Sequence, residues 1–453
     1  MELNYSNIYF IGIGGIGMSA LARYFNNKNF TVIGYDKTET PLTKELTSEG
    51  IAIHYSDFGI NINDIIGTIV DTLVVITPAI PSSMKELLYL REEGYTIKKR
   101  AEVLGIITAN YKTLAVAGTH GKTTTSTLLA HVLSSTSEQC NAFLGGISAN
   151  FNSNLLISSS SPWMVVEADE YDRSFHQLKP FSSIITSTDA DHLDIYKSKE
   201  SLFRAFEEYG NLVDPKGKLI VHHSVDVCKD LPRLTYGIDA KVKTDYKGNS
   251  LRMEDGQFMM DVQTPKQIFK DVALGLPGIH NAENALSVIA LCESIGMSMQ
   301  EIQPALLSSK GVKRRFELVA HKEGLIYIDD YAHHPTAINS LISSIRLIYK
   351  DLPIHVVFQP HLFSRTQDFM TDFAASLSKA DDVILLPIYP AREEPIEGVT
   401  SEVLANLMSV KVQVMEPEDA LKALSTIKDG VILTVGAGNI DRLVEPISAM
   451  IYD

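Results

Sequence analysis

The residues best placed to do chemistry form one short stretch, Leu114–Thr125, which reads LAVAGTHGKTTT. Its glycines end an apolar run and precede a helix-like pattern, so backbone N–H groups and a helix N-terminus converge on one point, as in phosphate sites. Lys122 would place a positive charge on the outer phosphates, and the Thr123 hydroxyl would bind Mg²⁺. Val116 stands where the usual motif has its first glycine. We predict an ATP site formed by Gly118, Thr119, His120, Gly121, Lys122, Thr123 and Thr124.

Carboxylates that could hold the metal of such a site follow two strand-like runs. The first run delivers E-A-D-E-Y-D from Glu167, and the second delivers S-T-D-A-D-H-L-D from Ser187. Mg²⁺ takes oxygen ligands, usually one or two carboxylates beside phosphates. We predict Mg²⁺, with Mn²⁺ as a substitute, on Thr123 and Glu167, and a second cation on His192. A surface or helix-capping histidine is the alternative for His192, and the other acids, Glu170 included, could be supporting groups or solvated side chains.

A second glycine-rich turn, G-I-G-G-I-G at Gly12–Gly17, separates a strand-like run from a helix-like run near the start of the chain. The next strand-like run ends at an acid, the position from which a carboxylate reaches a ribose. The pattern predicts a bound diphosphate, and a glycine turn that only packs tightly is the alternative. Because another nucleotide site begins at Gly118, we favour a nucleotide-sugar substrate over a redox cofactor. The predicted contacts are Gly12, Gly14, Gly15, Ile16, Gly17, Asp36 and Thr77.

Polar residues in the second half of the chain could complete the ATP site. Asn281 and Asn284 lie on one face of a predicted helix and could hydrogen-bond an adenine edge, although Asn281 could equally cap that helix. Arg315 belongs to the basic cluster K-R-R-F-E at a predicted domain boundary. It could reach an ATP phosphate, and a solvated charge cluster is the alternative.

Three further residues, His333, His361 and Arg365, follow predicted strands of the last third of the chain. The carboxyl ends of parallel strands meet at one edge of a sheet, so these side chains are expected to line one edge. An amino-acid substrate needs a partner for its carboxylate, and an arginine can bind it in a bidentate manner. We therefore predict an amino-acid site there.

Composition excludes several classes of function. The formal net charge of −15 argues against non-specific nucleic-acid binding and against an anionic membrane surface. Three dispersed cysteines, without a C-x-x-C pair, favour a reducing compartment. No signal peptide is recognisable, and no apolar run reaches the roughly 18 residues needed to span a bilayer. We expect a cytoplasmic protein without stable membrane association, either a monomer or a weak homodimer.

Strand-like and helix-like runs alternate along all 453 residues, which predicts an α/β protein of several domains. We predict three: a Rossmann-like domain over 1–107, a P-loop-type ATP domain with a mostly parallel sheet over 108–312, and a Rossmann-like α/β domain over 313–453. The polar stretch Asn150–Ser161 is predicted to be an exposed loop.

The motifs quoted above, in their order along the chain and together with H-N-A-E-N-A, R-R-F-E and D-Y-A-H-H-P, resemble those of the Mur ligase family. The resemblance covers essentially the whole chain. It implies an ADP-forming ligase that activates the carboxylate of UDP-N-acetylmuramate as an acyl phosphate, for attack by an amino acid in peptidoglycan precursor synthesis. It also implies catalytic roles for Lys122, Glu167, His192, Arg315 and His333.

Within the family the motifs are similar to those of the branch that adds L-alanine. A ligase that adds a murein tripeptide to the same UDP-sugar in cell-wall recycling is the alternative. Two positions depart from the family pattern: Glu207 stands about where many members have a carbamylated lysine, and Leu362 follows His361 where some alanine ligases have arginine. Other classes are a nicotinamide-dependent oxidoreductase, suggested by Gly12–Gly17, and a nucleotide-binding regulator without catalysis.

Overall fold

The apolar runs of the chain assemble into three β-sheets flanked by helices. The computed structural model describes residues 4–189, 196, 198–238, 241–254, 257–322, 324–391 and 393–452. Within these ranges, no helix combines the length and the apolar character needed to cross a membrane. The α/β fold predicted from the alternating pattern is confirmed.

The strands, in chain order, are β1 (Asn7–Ile11), β2 (Thr31–Tyr35), β3 (Ala52–His54), β4 (Thr72–Ile76), β5 (Thr96–Lys99), β6 (Lys112–Ala117), β7 (Asn141–Ser148), β8 (Ser153–Leu156), β9 (Trp163–Ala168), β10 (Ser182–Ile185), β11 (Leu219–His222), β12 (Arg233–Ile238), β13 (Tyr246–Glu254), β14 (Gln257–Gln263), β15 (Ile268–Leu274), β16 (Glu317–Lys322), β17 (Leu325–Asp330), β18 (Ile354–Phe358), β19 (Asp382–Leu385), β20 (Lys411–Val414) and β21 (Gly430–Val435).

The α-helices are α1 (Ile16–Asn27), α2 (Pro41–Ser48), α3 (Lys85–Glu92), α4 (Arg100–Thr108), α5 (Lys122–Ser134), α6 (Lys199–Gly210), α7 (Ile279–Ser294), α8 (Met299–Leu307), α9 (Pro335–Ile348), α10 (Phe363–Asp368), α11 (Met370–Leu377), α12 (Ser401–Ala405), α13 (Pro417–Leu424) and α14 (Val444–Tyr452). Short 3₁₀ helices cover Gly59–Asp64, Tyr171–Gln177 and Asn439–Leu443.

The first sheet has the order β3-β2-β1-β4-β5, and all of its strand pairs are parallel. The central strand β1 pairs with β2 on one side and with β4 on the other. The strand order therefore reverses at β1, and such a reversal opens a crevice at the carboxyl ends of the strands. The turn Gly12–Gly17 follows β1 directly and lies at that crevice.

The second sheet has the order β15-β14-β13-β12-β11-β10-β6-β9-β7-β8. Strand β6 lies between β10 and β9 and is parallel to both. The loop after β6 is therefore flanked by the carboxyl ends of the two strands that deliver acidic residues, as predicted. The mostly parallel character of this sheet is confirmed from β13 to β7 for the pairs that the structure describes, and β8 is an antiparallel edge strand.

The prediction of an exposed loop over Asn150–Ser161 is wrong for Ser153–Leu156, whereas Ile157, Ser159 and Ser160 are exposed and belong to no strand or helix. Ser153–Leu156 forms β8, which pairs with β7, and the side chain of Asn154 is completely buried. The polar residues misled the prediction because they satisfy hydrogen bonds inside the molecule rather than with water.

The third sheet has the order β16-β17-β21-β18-β19-β20, with the pair β16–β17 antiparallel and the others parallel. Strand β21 is buried along its whole length between β17 and β18. The carboxyl ends of β17 and β18 therefore lie at the same edge of the sheet, on either side of the turn after β21. The predicted parallel-rich C-terminal sheet is confirmed.

The chain divides into two compact units. One comprises Met1–Arg252, Met259–Gly275 and Ala282–Ser309, and the other comprises Met253–Phe258, Leu276–Asn281 and Lys310–Asp453. The first unit contains the first sheet and most of the second, and one apolar cluster continues between them from Phe10 and Phe25 to Met164 and Phe206. The predicted boundaries after residues 107 and 312 stay predictions.

Candidate active site

The loop after β6 has the geometry of a phosphate cradle. Strand β6 ends at Ala117, and α5 begins at Lys122 with Gly121 as its N-cap residue. The backbone φ is 131° at Gly118 and 79° at Gly121, values that favour glycine at both positions. The N–H groups of the first turn of α5, which lack partners within the helix, are directed at the loop, as in anion sites at helix N-termini.

The end of the neighbouring strand β10 supports this loop. Ser187 accepts the Thr119 N–H with its carbonyl at 3.1 Å and the His120 N–H with its hydroxyl at 2.9 Å. The Thr119 hydroxyl in turn accepts the backbone N–H of Asp189 at 3.0 Å. These bonds fix the loop from its side and use the N–H groups of Thr119 and His120, so the N–H groups directed at a phosphate are those of the first turn of α5. His192 lies outside the described residues, and its predicted metal role stays a prediction.

Lys122 forms a buried ion pair with Glu170. Its ammonium donates to both carboxylate oxygens, at 2.7 and 2.9 Å, and to the carbonyl of Gly118 at 2.8 Å. The Glu170 side chain is fully buried and that of Lys122 is 12% exposed. Burial alone would lower the pKa of Lys122, but the negative charges of Glu170, Asp169 and Glu167 outweigh it and raise the pKa above its ordinary value. The lysine is therefore held protonated beside the loop.

The two predicted oxygen ligands lie together. The Thr123 hydroxyl donates to Oε2 of Glu167 at 2.9 Å, and Thr124 is half-buried in the same helical turn. Gly145 makes room for Glu167, since a Cβ at that position would lie 1.8 Å from the same oxygen. Among the described residues, no three His, Cys, Asp or Glu side chains cluster closely enough to form a metal site. A hydroxyl beside one carboxylate fits Mg²⁺, which keeps waters and takes substrate phosphates as its other ligands.

The two asparagines predicted to contact adenine are both on α7 and have different surroundings. Asn284 is buried, and its Oδ1 would lie 3.1 Å from a Cβ at Gly121, so this side chain borders the phosphate loop. Asn281 donates its amide to the carbonyl of Pro277 at 2.8 Å. That bond ties Asn281 to the turn preceding α7 rather than capping the helix as an N-cap residue. The adenine contacts stay predictions.

The first glycine turn is held by the neighbouring strand. The N–H groups of Gly12 and Ile13 both donate to the carbonyl of Tyr35, at 2.8 and 3.0 Å. A Cβ at Gly12 would lie 2.9 Å from the methyl group of Thr77, which shows that Thr77 borders the turn. Helix α1 then begins at Ile16. Its first turn and the glycine turn form a second cradle suited to a diphosphate.

Both carboxylate oxygens of Asp36, the predicted ribose contact, accept hydrogen bonds from the backbone, one of them from the glycine turn. Its Oδ2 accepts the Gly14 N–H at 2.8 Å, and its Oδ1 accepts the Thr38 N–H at 3.3 Å. One carboxylate oxygen thus orients the turn and places negative charge beside it. The ribose contact of Asp36 stays a prediction.

The predicted amino-acid residues form a continuous group within the second unit. The rings of His333 and His361 have centroids 6.3 Å apart, and Nη1 of Arg365 lies 3.5 Å from Nδ1 of His361. The guanidinium of Arg315 stacks on Tyr331, 4.9 Å from the ring centroid, and Tyr331 packs edge-on against His333. The group thus combines two positive charges with imidazoles and an aromatic ring.

His333 is a neutral imidazole in this group. Burial, together with the charges of Arg365 and Arg315, lowers its pKa to about 4. Its Nδ1 lies 2.9 Å from the carbonyl of Tyr331, which can only accept, so Nδ1 carries the proton and Nε2 is the acceptor.

The two arginines of the basic cluster, Arg314 and Arg315, have different surroundings. Arg314 donates to the carbonyl of Gly436 at 2.7 Å and pairs with Asp329 and Asp441, each at 3.4 Å. It therefore joins β17 to the turn after β21. Arg315 has its guanidinium on Tyr331 and is the member of the pair that remains suited to a ligand.

Several of these residues could not be selected from the sequence. Glu170 is one of several acids in E-A-D-E-Y-D, and only its burial against Lys122 distinguishes it.

The two positions that depart from the family pattern are Glu207 and Leu362. Glu207 is exposed on α6. Leu362 has a φ of 71°, outside the usual range for a leucine, where the chain turns into α10.

The first unit thus combines a strand–glycine loop–helix turn and a neighbouring hydroxyl–carboxylate pair with a second glycine turn of the dinucleotide-binding type. Three family models match the chain: the Mur ligase family catalytic domain at residues 7–112, the Mur ligase middle domain at 116–292, and the Mur ligase glutamate ligase domain at 314–438. The chain belongs to the Mur ligase family. Members of this family are ATP-dependent ligases, so ATP is the expected nucleotide.

Relatives named UDP-N-acetylmuramate–L-alanine ligase align over nearly the whole chain. The protein from Flavobacterium psychrophilum is 48% identical, with 98% of each chain covered, and that from Porphyromonas gingivalis strain W83 is 47% identical, with 97% and 98% covered. Among solved structures, the UDP-N-acetylmuramate–alanine ligase of Thermotoga maritima is 29% identical, with 98% of each chain covered and a TM-score of 0.83. A murein peptide ligase from Psychrobacter arcticus is 23% identical, with a TM-score of 0.68, and supports the fold alone.

Proposed function

We propose that this protein joins L-alanine to the carboxylate of UDP-N-acetylmuramate, with hydrolysis of ATP to ADP and phosphate, in the synthesis of peptidoglycan precursors. The observation that carries this proposal is the full-length similarity, at 43–48% identity, to relatives that bear this activity in their names. The arrangement of Lys122, Thr123 and Glu167 adds support, because it keeps the groups that phosphoryl transfer requires.

In the first step, the muramoyl carboxylate attacks the γ-phosphorus of ATP, which gives an acyl phosphate and ADP. Negative charge spreads over the transferring phosphoryl group, so a fixed positive charge stabilises the transition state. Lys122 has that role in the proposal, because its ammonium is held protonated beside the loop. The N–H groups at the start of α5 would bind the same phosphates.

Mg²⁺ is part of this proposal, with Thr123 and Glu167 as its protein ligands. When bound, the ion would neutralise charge on the phosphate oxygens. The proposed second cation ligand is His192. The remaining ATP contacts proposed are Gly118, Thr119, His120, Gly121, Thr124, Asn281, Asn284 and Arg315.

In the second step, the amine of L-alanine attacks the acyl carbon, and phosphate leaves the tetrahedral intermediate. The proposed amino-acid residues are His333, His361 and Arg365, with Arg365 opposite the alanine carboxylate. His333 has an acceptor nitrogen and a pKa of about 4, so it can accept a hydrogen bond from the amine but is a weak base at neutral pH. Its proposed role is therefore to orient the amine.

The UDP-sugar is proposed to bind the first cradle, where the glycine turn and the start of α1 would hold its diphosphate. The proposed contacts are Gly12, Gly14, Gly15, Ile16, Gly17, Asp36 and Thr77.

The test is ADP release from Mg²⁺–ATP and UDP-N-acetylmuramate, with L-alanine, glycine, L-serine or the murein tripeptide as the acceptor. We expect release that depends on L-alanine, together with formation of the alanyl product by mass spectrometry. Lys122→Ala should abolish ADP release and leave binding of UDP-N-acetylmuramate intact, because Lys122 belongs to the other cradle. Release with the tripeptide alone would assign the protein to recycling, and no release with any acceptor would overturn the proposed function.

A further inference from the structure

Arg100 lies against the first glycine turn, although the motifs give no reason to select it. It is the first residue of α4, directly after β5. A Cβ at Gly17 would lie 2.8 Å from Nη1 of Arg100, 3.1 Å from its Cδ and 3.3 Å from its Cζ. Gly17 belongs to the first turn of α1, so the guanidinium lies at the N-terminal end of that helix.

The same side chain reaches the acidic segment beside the ATP loop. Nη2 of Arg100 lies 3.6 Å from Oδ2 of Asp169, whose neighbour Glu170 holds Lys122. The Arg100 side chain is 25% exposed and that of Asp169 is 34% exposed. Within the described part of the chain, the guanidinium donates no hydrogen bond, so its donors remain available to a ligand. The contact with Asp169 orients the guanidinium without occupying it.

A diphosphate bound at the glycine turn would need a positively charged side chain nearby, because the turn already carries a carboxylate. Asp36 places a carboxylate on the turn itself, and Arg23, the arginine of α1, is already bound by Glu45 and Glu49. A helix N-terminus supplies only a partial positive charge, which does not balance a diphosphate beside a carboxylate. An arginine also matches phosphate oxygens geometrically, because it can donate two parallel hydrogen bonds.

We propose that Arg100 binds the diphosphate of the sugar nucleotide at the Gly12–Gly17 turn, and that Asp169 positions it there. Since Asp169 follows β9 in the segment that also carries Glu170, the same side chain joins the sugar-nucleotide cradle to the ATP cradle. This inference rests on the proposed function for the identity of the ligand. It adds a specificity residue that distinguishes a diphosphate from an uncharged nucleoside.

Arg100→Met tests the proposal, since it keeps a long apolar side chain and removes the donors. Calorimetry with UDP and with UDP-N-acetylmuramate should show affinities lower by roughly 10- to 100-fold, as expected for a charged hydrogen-bonding group. Uridine, which has no phosphate, should bind the variant and the wild type equally in NMR titrations. In turnover, the KM for UDP-N-acetylmuramate should rise more than the KM for ATP or L-alanine, and Arg100→Lys should recover part of the loss.

Lys99→Met is the matched control, because Lys99 is the adjacent residue and pairs at 2.8 Å with Asp172. It removes one positive charge from the same segment and should change the UDP affinity less than about threefold. Unchanged UDP affinity in Arg100→Met would overturn the proposal. So would an equal loss for uridine, or an equal loss in Lys99→Met.

A double-mutant cycle isolates the contact between Arg100 and Gly17. Gly17→Ala should weaken UDP binding in the wild type, because the added methyl group displaces the guanidinium. The same substitution should weaken UDP binding less in Arg100→Met than in the wild type, and fully additive losses would contradict the proposal; the loss common to both backgrounds is the effect of the methyl group on the turn itself. A wild-type protein that releases no ADP with UDP-N-acetylmuramate and L-alanine would instead remove the proposed function, while the UDP comparison would still decide the role of Arg100.

Discussion

The side-chain amide of Asn154 donates a hydrogen bond of 2.7 Å to the backbone carbonyl of Ile16. Asn154 belongs to β8 in the second sheet, and Ile16 is the first residue of α1, which flanks the first sheet. The same amide donates to the Ser19 hydroxyl at 2.9 Å, while Oδ1 accepts from Arg23 at 2.7 Å. One fully buried amide thus fixes the helix that carries the sugar-nucleotide cradle onto the sheet that carries the ATP cradle.

Asn154→Ala should lower the stability of the first unit. It removes three hydrogen bonds and leaves buried polar partners unsatisfied, so we expect a loss of about 2–4 kcal/mol. The measurement is denaturant-induced unfolding followed by circular dichroism. Asn61→Ala is the control, because Asn61 is exposed in the same unit. Equal stability of the two variants would show that the Asn154 bonds contribute nothing net.

Lys122 lies in a loop that neighbouring residues define, whereas Asn154 is placed by distant contacts, and only the first kind of feature can be predicted from the sequence. The loop at Gly118–Lys122 is encoded locally, since strand, glycines, lysine and helix follow one another within a dozen residues, and the structure has this strand, turn and helix where they are predicted. The position of Asn154 depends on contacts with residues more than 130 positions away. Its polar surroundings in the sequence therefore indicated a loop, although tertiary hydrogen bonds make the segment an edge strand.

The burial of Glu170 is a second feature that the sequence does not predict. The sequence predicts metal ligands and supporting acids in its segment, but it does not show which acid is buried against the lysine. The five strand ends that carry the loop (β6), the acids (β9 and β10) and the histidines (β17 and β18) are predictable from the alternating patterns. The selection among neighbouring acids is not, because it depends on burial.

Glu170→Gln should impair catalysis by changing Lys122. Without the carboxylate charge, the effect of burial on the Lys122 pKa is less opposed, so that pKa should fall. We expect kcat to fall at least tenfold and the alkaline limb of the kcat/KM profile for ATP to move to lower pH. The pH profile separates this effect from simple misfolding, which would lower activity at every pH. Asp172→Asn, in the same segment and paired with Lys99, should leave the alkaline limb in place.

Gly145→Ala should weaken metal dependence through Glu167. The added Cβ would lie 1.8 Å from the glutamate oxygen that faces Thr123, so the carboxylate must move. We expect the Mg²⁺ concentration for half-maximal ADP release to rise about tenfold or more, while UDP binding stays unchanged. Glu167→Asp, combined with Gly145→Ala, shortens the side chain and should recover part of the metal affinity. A Mg²⁺ dependence identical to that of the wild type would separate Gly145 from the metal site.

His333 should make the second unit less stable in acid. Its pKa is lowered from 6.5 to about 4 in the folded protein, chiefly by burial, so the unfolded chain binds this proton more tightly. Unfolding therefore takes up a proton between those values, and the contribution of His333 to stability falls as the pH falls through that window. The full effect is on the order of 3 kcal/mol near pH 4. The measurement is the difference in unfolding free energy between wild type and His333→Gln from pH 7 to 4.5, with the exposed His321→Gln as control. The wild type should lose stability relative to His333→Gln across this range, and a constant difference would place the His333 pKa outside it.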